Sequence, residues 1–307
     1  MISTRAATQA ETAAWRDDFR ARLQAWYDLP GARPDWVSQQ VDGRLSLARF
    51  ATSSAVFALE SGDDYIGVLA VALTDQDGRP GVVIGDIWIA PAYRRRGHGT
   101  AALRHAESWA ARQQARSVWA LTNPADPAHA AFFSGYPVRS RQMIKEVRAP
   151  EGIGPGLEGR PMTDAEFADW RAETVQGYAA DISDSGSMSP GDAMTASIAE
   201  VDRLLPDGLR TEQHSFLCLI AAGEVVATNW IYHHRSPGVS WVYGVETHEG
   251  LRGKGYGRAA MIIGEQATLA AGDTHLGLNV FGHNAVAISM YESMGYRAYD
   301  HGRSIEI

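Results

Sequence analysis

Arg94-Arg95-Arg96-Gly97-His98-Gly99 and, 158 positions later, Arg252-Gly253-Lys254-Gly255-Tyr256-Gly257 are two copies of one phrase, R-x-x-G-x-G. Each follows a strand-like run and opens a helix-like one. Glycines there let the backbone turn tightly and bring several N–H groups within reach of one anion, and the positive end of the helix dipole adds to their pull. One such hexamer is weak; two in matching context indicate a duplicated domain with a phosphate-bearing ligand site in each half.

The flanking periodicity supports the duplication. Residues 11–27 carry apolar and aromatic positions (Ala14, Trp15, Phe19, Leu23, Trp26) at spacings of three and four, an amphipathic helix. Strands are predicted at 55–59, 65–73 and 82–89, separated by turns at 61–64 and 75–80, before the first glycine loop and a helix over 100–113. The second half repeats that order: helix 167–177, strands 215–221, 225–232 and 239–247, the second loop, then helix 258–271. It closes with a strand at 276–280 and a helix over 284–294 stopped at Gly295-Tyr296. The matching stretch of the first half carries Pro124 and Pro127, so its helix over 128–133 must be short. These readings divide the 307 residues into a first domain at 1–149, a glycine-rich linker at 150–157 and a second domain at 158–307.

Composition narrows the classes. A hydrophobic share of 45% and a charged share of 21% allow each half its own core. The formal net charge of −8 argues against a nucleic-acid partner, because phosphate-backbone binding needs a basic face. Neither an apolar run of about 18 residues nor a secretory pattern is present, so a cytoplasmic protein without a membrane partner is expected. Cys218, the single cysteine, sits in the apolar run 216–220 and reads as a small buried hydrophobe.

The chain resembles the GNAT superfamily of acyl-CoA-dependent acyltransferases, in tandem. The two glycine loops carry the resemblance, together with Asn284-x-x-Ala287-x-x-x-Tyr291-x-x-x-Gly295-Tyr296, which is similar to the family's Asn…Tyr…Gly-aromatic signature. The fold implied is α/β (α+β): two GNAT-fold domains, each a mixed, mostly antiparallel sheet flanked by helices. The co-substrate implied is acetyl-CoA or another acyl-CoA, and the reaction is direct transfer of a short acyl group to a primary amine of a small molecule.

By that resemblance the strand before each loop splays from its neighbour and pairs with the pantetheine arm, through Val245 and Thr247 in the second half and Ile87 and Ile89 in the first. The loop amides of Arg252, Gly253, Lys254, Gly255, Tyr256, Gly257 and Arg258, and of Arg94, Arg95, Arg96, Gly97, His98, Gly99 and Thr100, would hold the pyrophosphate. Tyr291 would protonate the leaving sulfur, Asn284 would anchor the pantetheine or a bound water, and the Val245 amide would polarise the thioester carbonyl. Glu246 is the candidate general base, although alternation puts it opposite Val245 and Thr247, where it could face a covering helix. His283 is the competing base. His233-His234 reads as a solvated pair in a turn, and no metal site is expected.

No tyrosine takes the place of Tyr291 in the first half, where Phe132 or Phe133 is the nearest aromatic, so transfer is expected in the second half alone. The acceptor is expected against residues 167–210, which include Tyr178, Asp181, Asp184 and Asp192. Two readings compete: a phosphopantetheine arm of an acyl carrier protein as donor, and a silent acyl-CoA sensor. A dinucleotide-binding G-x-G-x-x-A pattern is also present, but several residues separate its first glycine from the strand, unlike that fold. Oligomeric state is not readable from these features.

Overall fold

A computed structural model describes the chain except residues 1, 47–50, 77–78, 150 and 185–187; the side chains of Gln76, Asp181 and Asp184 also lie outside the described residues. Two compact units emerge from the packing: Met1–Met143 with Asn279–Ile288 and Arg297–Ile307, and Ile144–Leu278 with Ser289–Tyr296.

The first half runs β1 (Ser3–Ala6), α1 (Gln9–Tyr27), α2 (Pro34–Leu45), β2 (Ser53–Ser61), β3 (Asp64–Gln76), β4 (Arg79–Ile89), α3 (His98–Arg112), β5 (Ser117–Thr122), α4 (Pro127–Phe132) and β6 (Val138–Glu146). The second runs β7 (Leu157–Pro161), α5 (Asp164–Asp184), α6 (Pro190–Leu204), β8 (His214–Ala221), β9 (Glu224–Ser236), β10 (Val239–Thr247), α7 (Tyr256–Ala270), β11 (His275–Phe281), α8 (Ala285–Ser293) and β12 (Arg297–Glu306). Residues 151–156 form neither helix nor strand. The expected strands and helices are all present. α2, α6 and the strands β1, β5, β6, β7 and β12 are additional to the sequence reading.

Each half starts with the same device. Thr8 caps α1 and Glu11 reaches back to its backbone, while Arg5 clamps Glu11 at 2.7 Å. Thr163, Glu166 and Arg160 repeat the arrangement 155 positions later, again with a 2.7 Å ion pair. The sequence R-x-x-T-x-x-E is therefore a second internal repeat, and it starts a long helix in the same way twice.

In the first unit β1 to β4 pair antiparallel, and β4 pairs parallel with β5. Leu59, Leu69, Val82 and Val118 form the core against α3, whose Ala102, Ala106 and Ala110 are fully buried. Small residues at that spacing let the helix approach the strands closely. The last strand of the chain, β12, belongs here, antiparallel to β5 from His301 opposite Thr122 to Glu306 opposite Ser117. It is held by Trp26 donating to the Tyr299 carbonyl at 2.8 Å, Tyr27 donating to Asp300 at 3.0 Å and Arg303 donating to the Tyr136 carbonyl at 2.8 Å. The repeat boundary in the sequence and the packing boundary in the molecule are thus separate.

In the second unit β7 to β10 pair antiparallel and β10 pairs parallel with β11. One face, with Leu217, Leu219 and Ala227, packs on Ala259, Ala260 and Ile263 of α7. The other, with Phe216, Cys218, Ile220 and Trp230, packs on Phe167 and Val175 of α5 and Val201 of α6. Cys218 is buried as expected, and burial pushes its thiol up to about 11, away from any nucleophilic role.

Each half also keeps one internal tyrosine–glutamate bond at the glycine that ends its last helix. Tyr136 donates to Glu107 at 3.0 Å, and Tyr296 donates to Glu265 at 3.0 Å. In the second unit the Glu265 side chain is 1% exposed and also takes Lys145 at 2.8 Å. Removing one partner of a buried pair strands the other's charge. Lys145→Ala is expected to cost the second unit about 3–5 kcal/mol, read as a shift in the urea midpoint; a loss below about 1 kcal/mol would show that Glu265 does not need its cation.

Candidate active site

The parallel pairing in each unit lasts four residues and then stops. β4 stays with β5 from Gly81–Ser117 to Ile84–Ala120, and β10 with β11 from Val239–His275 to Val242–Leu278. Immediately afterwards each strand carries one unpaired extra residue against its other neighbour, Gly85 in β4 and Tyr243 in β10. A bulge bends the strand that holds it. The remainder of β4 and β10 then pairs on one side alone.

Which atoms face the open side follows from the ladder. The His248 amide donates to Val226 and the Ala90 amide to Ile66, which turns the alternate residues Gly244 and Glu246, and Asp86 and Trp88, toward the paired neighbour. The N–H and C=O groups of Val245 and Thr247, and of Ile87 and Ile89, therefore point to the open edge. These are the four residues singled out from the sequence for the pantetheine arm.

The glycine loops follow, and they match closely. Gly97 precedes α3 at φ 83°, and Gly255 precedes α7 at φ 84°; neither helix start has a side-chain cap. The first-turn amides are left available for an anion. Gly253 lies at φ 80°, while its first-half counterpart Arg95 takes φ 61° with a side chain attached. The last glycine of each phrase has a different purpose from the turn read in the sequence. Gly99 and Gly257 lie inside the helices, where a Cβ would come 3.1 Å from the Phe132 ring and 3.3 Å from the Met290 sulfur. They are small so that the following helix can press on the loop helix.

α8 carries the sequence signature. The Tyr291 ring is 6% exposed, burial pushes its hydroxyl up to about 12, and among the described residues no hydrogen-bond partner meets it. Its helix is tied to the loop helix through Met290 against Gly257 and through Arg258 donating to Ser293. Asn284 is exposed and caps α8, its side-chain oxygen accepting from the Ala287 amide at 3.1 Å. His283 is exposed and stacks on Phe281 with centroids 5.7 Å apart.

Glu246 lies opposite Val245, and Val245 packs toward α7. The carboxylate is exposed on the other face, so no helix covers it. That face carries an aromatic set which the sequence reading missed: Tyr243 stacks on Trp230 at 4.7 Å and His214 on Tyr232 at 4.6 Å. Aromatics at alternate positions of three adjacent strands (214 and 216, 230 and 232, 241 and 243) were the signal for it. Trp230 donates to His214 Nδ1 at 2.8 Å, and burial pushes that imidazole down to about 4.

One expectation needs correction. His233-His234 is not a solvated turn pair, because β9 runs on to Ser236: His233 is buried between Ser215 (2.8 Å) and Ser240 (2.9 Å), and His234 pairs with Asp273 at 2.9 Å. In the region expected to meet the acceptor, Asp192 accepts from the Ser189 hydroxyl at 2.7 Å beside the α6 cap. Asp181 and Asp184 lie in α5 with side chains outside the described residues.

The first unit holds a cavity of about 710 Å³ running from Arg94, Gly97 and Gly99 of the loop to Trp26, Asp86 and His129. Asp86 is engaged, taking Arg22 at 2.6 Å and Trp15 at 2.9 Å. Phe132 occupies the contact that Met290 makes in the second unit.

The model of the acetyltransferase (GNAT) family matches residues 11–136 and 187–296. The chain belongs to the GNAT acetyltransferases. Over 144 residues this N-acetyltransferase is 32% identical to the uncharacterized N-acetyltransferase YycN of Bacillus subtilis, covering 46% of this chain and 92% of that one. It is 26% identical to the mycothiol acetyltransferase of Streptomyces avermitilis over 273 residues, 86% of this chain and 83% of that one. Among solved structures, the tandem GNAT protein from the clavulanic acid biosynthesis pathway superposes with a TM-score of 0.51 at 17% identity, covering 100% and 98% of the two chains. The fold is thus two GNAT domains in tandem, as the glycine loops implied. Among the described residues no helix is long and apolar enough to cross a membrane.

Two outcomes follow from this geometry. Gly99→Ala presses on a packed phenyl ring and is expected to cost about 1–3 kcal/mol; Gly257→Ala meets a flexible thioether and should lower the melting temperature less. Because His214 is held below its ordinary range, the unfolded chain gains a proton that the folded one refuses. Its contribution to stability is complete above about pH 6.5 and is lost as pH falls toward about 4. Melting curves between those limits should fall less steeply for His214→Gln than for the wild type.

Proposed function

We propose that the second unit moves an acetyl or other short acyl group from acyl-CoA directly to a primary amine of a small molecule. The observation that carries this reading is the buried Tyr291 side chain, whose hydroxyl meets no partner among the described residues, on a helix pressed against the glycine-loop helix that follows β10. A phenol held protonated across the physiological range is a proton source for a departing thiolate. The amine attacks the thioester carbonyl carbon as the Val245 amide donates to the oxygen on which negative charge builds. The carbon–sulfur bond breaks, the Tyr291 proton goes to sulfur, and the proton lost by the amine goes to Glu246, directly or through water. No covalent enzyme intermediate is needed.

The open loop amides favour a pyrophosphate-bearing donor over a carrier protein's phosphopantetheine, and names such as mycothiol acetyltransferase among the tandem relatives support acetyl transfer. In the first half Ala131 stands five residues before Tyr136, as Tyr291 does before Tyr296, so its glycine loop is read as a binding site without the proton donor. In titration calorimetry with acetyl-CoA and thiol release against a panel of primary amines, Tyr291→Phe should keep acetyl-CoA affinity within about twofold and lower turnover about 10²-fold or more. Unchanged turnover would remove Tyr291 from the mechanism, and absence of acetyl-CoA binding would sink the CoA reading in favour of a carrier-protein donor.

A further inference from the structure

The inner end of the first unit's cavity contains a guanidinium with little to do. Arg22, on the same wall, is fully engaged: Nε donates to Asp18 at 2.8 Å, and its two terminal nitrogens to Asp86 at 3.1 and 2.6 Å. Arg44 is not. Its side chain is 14% exposed, and among the described residues its one hydrogen bond is a long one, 3.3 Å, to the Tyr27 hydroxyl. Among the described residues the nearest carboxylate oxygen, Asp300 Oδ1, stands 3.8 Å away and has no hydrogen-bond partner of its own. The guanidinium carbon of Arg44 lies over the Trp26 ring, 4.7 Å from its centroid.

An arginine carries five N–H donors in a rigid fork, and burying it with most of them unmatched is costly unless something else meets them. Stacking on an indole fixes the fork without using its donors. His129 stands edge-on to the same indole at 5.6 Å, and the Asn123 amide donates to its Nδ1 at 3.2 Å, which leaves the ring proton on Nε2. Cation, second donor and glycine loop all line one cavity. The group that matches a planar fork of this kind is a carboxylate.

We propose that the inner end of the first unit's cavity binds a carboxylate on Arg44. The carboxylate has two sources: the far end of a dicarboxylic acyl chain whose thioester enters from the glycine loop, which rests on the acyl-CoA reading above, or a separate small carboxylic acid. Recognition of the chain by its charged end gives the first domain a ligand distinct from the acetyl donor of the second. It also accounts for a retained cavity in a half that lacks the tyrosine.

The test titrates the full-length protein with acetyl-CoA, succinyl-CoA and free succinate, beside Arg44→Gln and the double variant Arg44→Gln/Asp300→Asn, which removes the carboxylate left behind. Preference for succinyl-CoA over acetyl-CoA by at least about tenfold, a difference of about 1.4 kcal/mol, abolished in both variants while acetyl-CoA affinity is kept, assigns the carboxylate to the acyl chain. Succinate binding that depends on Arg44, without preference between the thioesters, assigns it to a separate acid. Equal binding of both thioesters with no succinate binding, or a preference that survives in variants of unchanged melting temperature, overturns the proposal. Loss of acetyl-CoA binding in the wild type would instead indict the acyl-CoA reading.

Discussion

Everything that makes a site in this molecule depends on one interruption in hydrogen bonding. β4 and β10 each run beside a parallel neighbour for four residues and then leave it, at a bulge on Gly85 or Tyr243. An interior strand that ends its pairing early exposes donors and acceptors that a folded protein otherwise satisfies internally. The exposed edge is useful because the next residues are a glycine turn that starts a helix, so strand-edge amides and helix-end amides converge on the same ligand path. The small Gly99 and Gly257 then bring the following helix close. In the second unit that helix carries Tyr291, and in the first Ala131 stands at the matching position.

The two units share a scaffold and differ in what they place on it. Both keep the arginine-clamped capping box, the left-handed glycine before the loop helix and the tyrosine–glutamate bond at the closing glycine. These are solutions to backbone problems, and they are the same because the backbone problems are the same. The side chains that face the open edge are under no such constraint. Tyr291 is a buried side chain whose hydroxyl meets no partner among the described residues, whereas the first unit surrounds its cavity with Trp26, Arg44 and His129. Duplication followed by divergence of the lining, with the frame left intact, is the physical pattern.

Buried charge is treated differently at the two ends of this pattern. Glu265 has both a lysine and a tyrosine within hydrogen-bonding distance and is fully satisfied. Asp300, on β12, has one tyrosine and a distant arginine, and burial pushes its carboxyl up to about 6. The satisfied pair secures a helix, and the unsatisfied one borders a cavity. Such contrasts separate framework from site without reference to activity.

Local signals were legible in the chain. The spacing of Gly97 and Gly99, and of Gly255 and Gly257, announced the loops, because left-handed φ and close helix approach admit little else. The run from Asn284 to Tyr296 announced α8, and three- and four-residue spacing announced α1, α3 and α7. Alternation placed Glu246 opposite Val245, but not whether a helix lay above it, since α5 and α6 pack on that face at Trp230 and leave Glu246 exposed. His233 read as solvated because β9 extends three residues past it, an extension fixed by pairing with β10, where Val239 stands opposite Ser236. β12 was missed, and so was its home in the first unit, because its partners Trp26, Tyr27 and β5 are more than 170 positions away. The sequence by itself determined where the chain turns, which helices start at a left-handed glycine without a side-chain cap and which half keeps a tyrosine on its last helix, all set by residues within a few positions of one another. Tertiary structure alone decided which strand edge stays open, where the last strand docks and which arginine is left with donors to spare, because those depend on groups that meet only when the chain has folded.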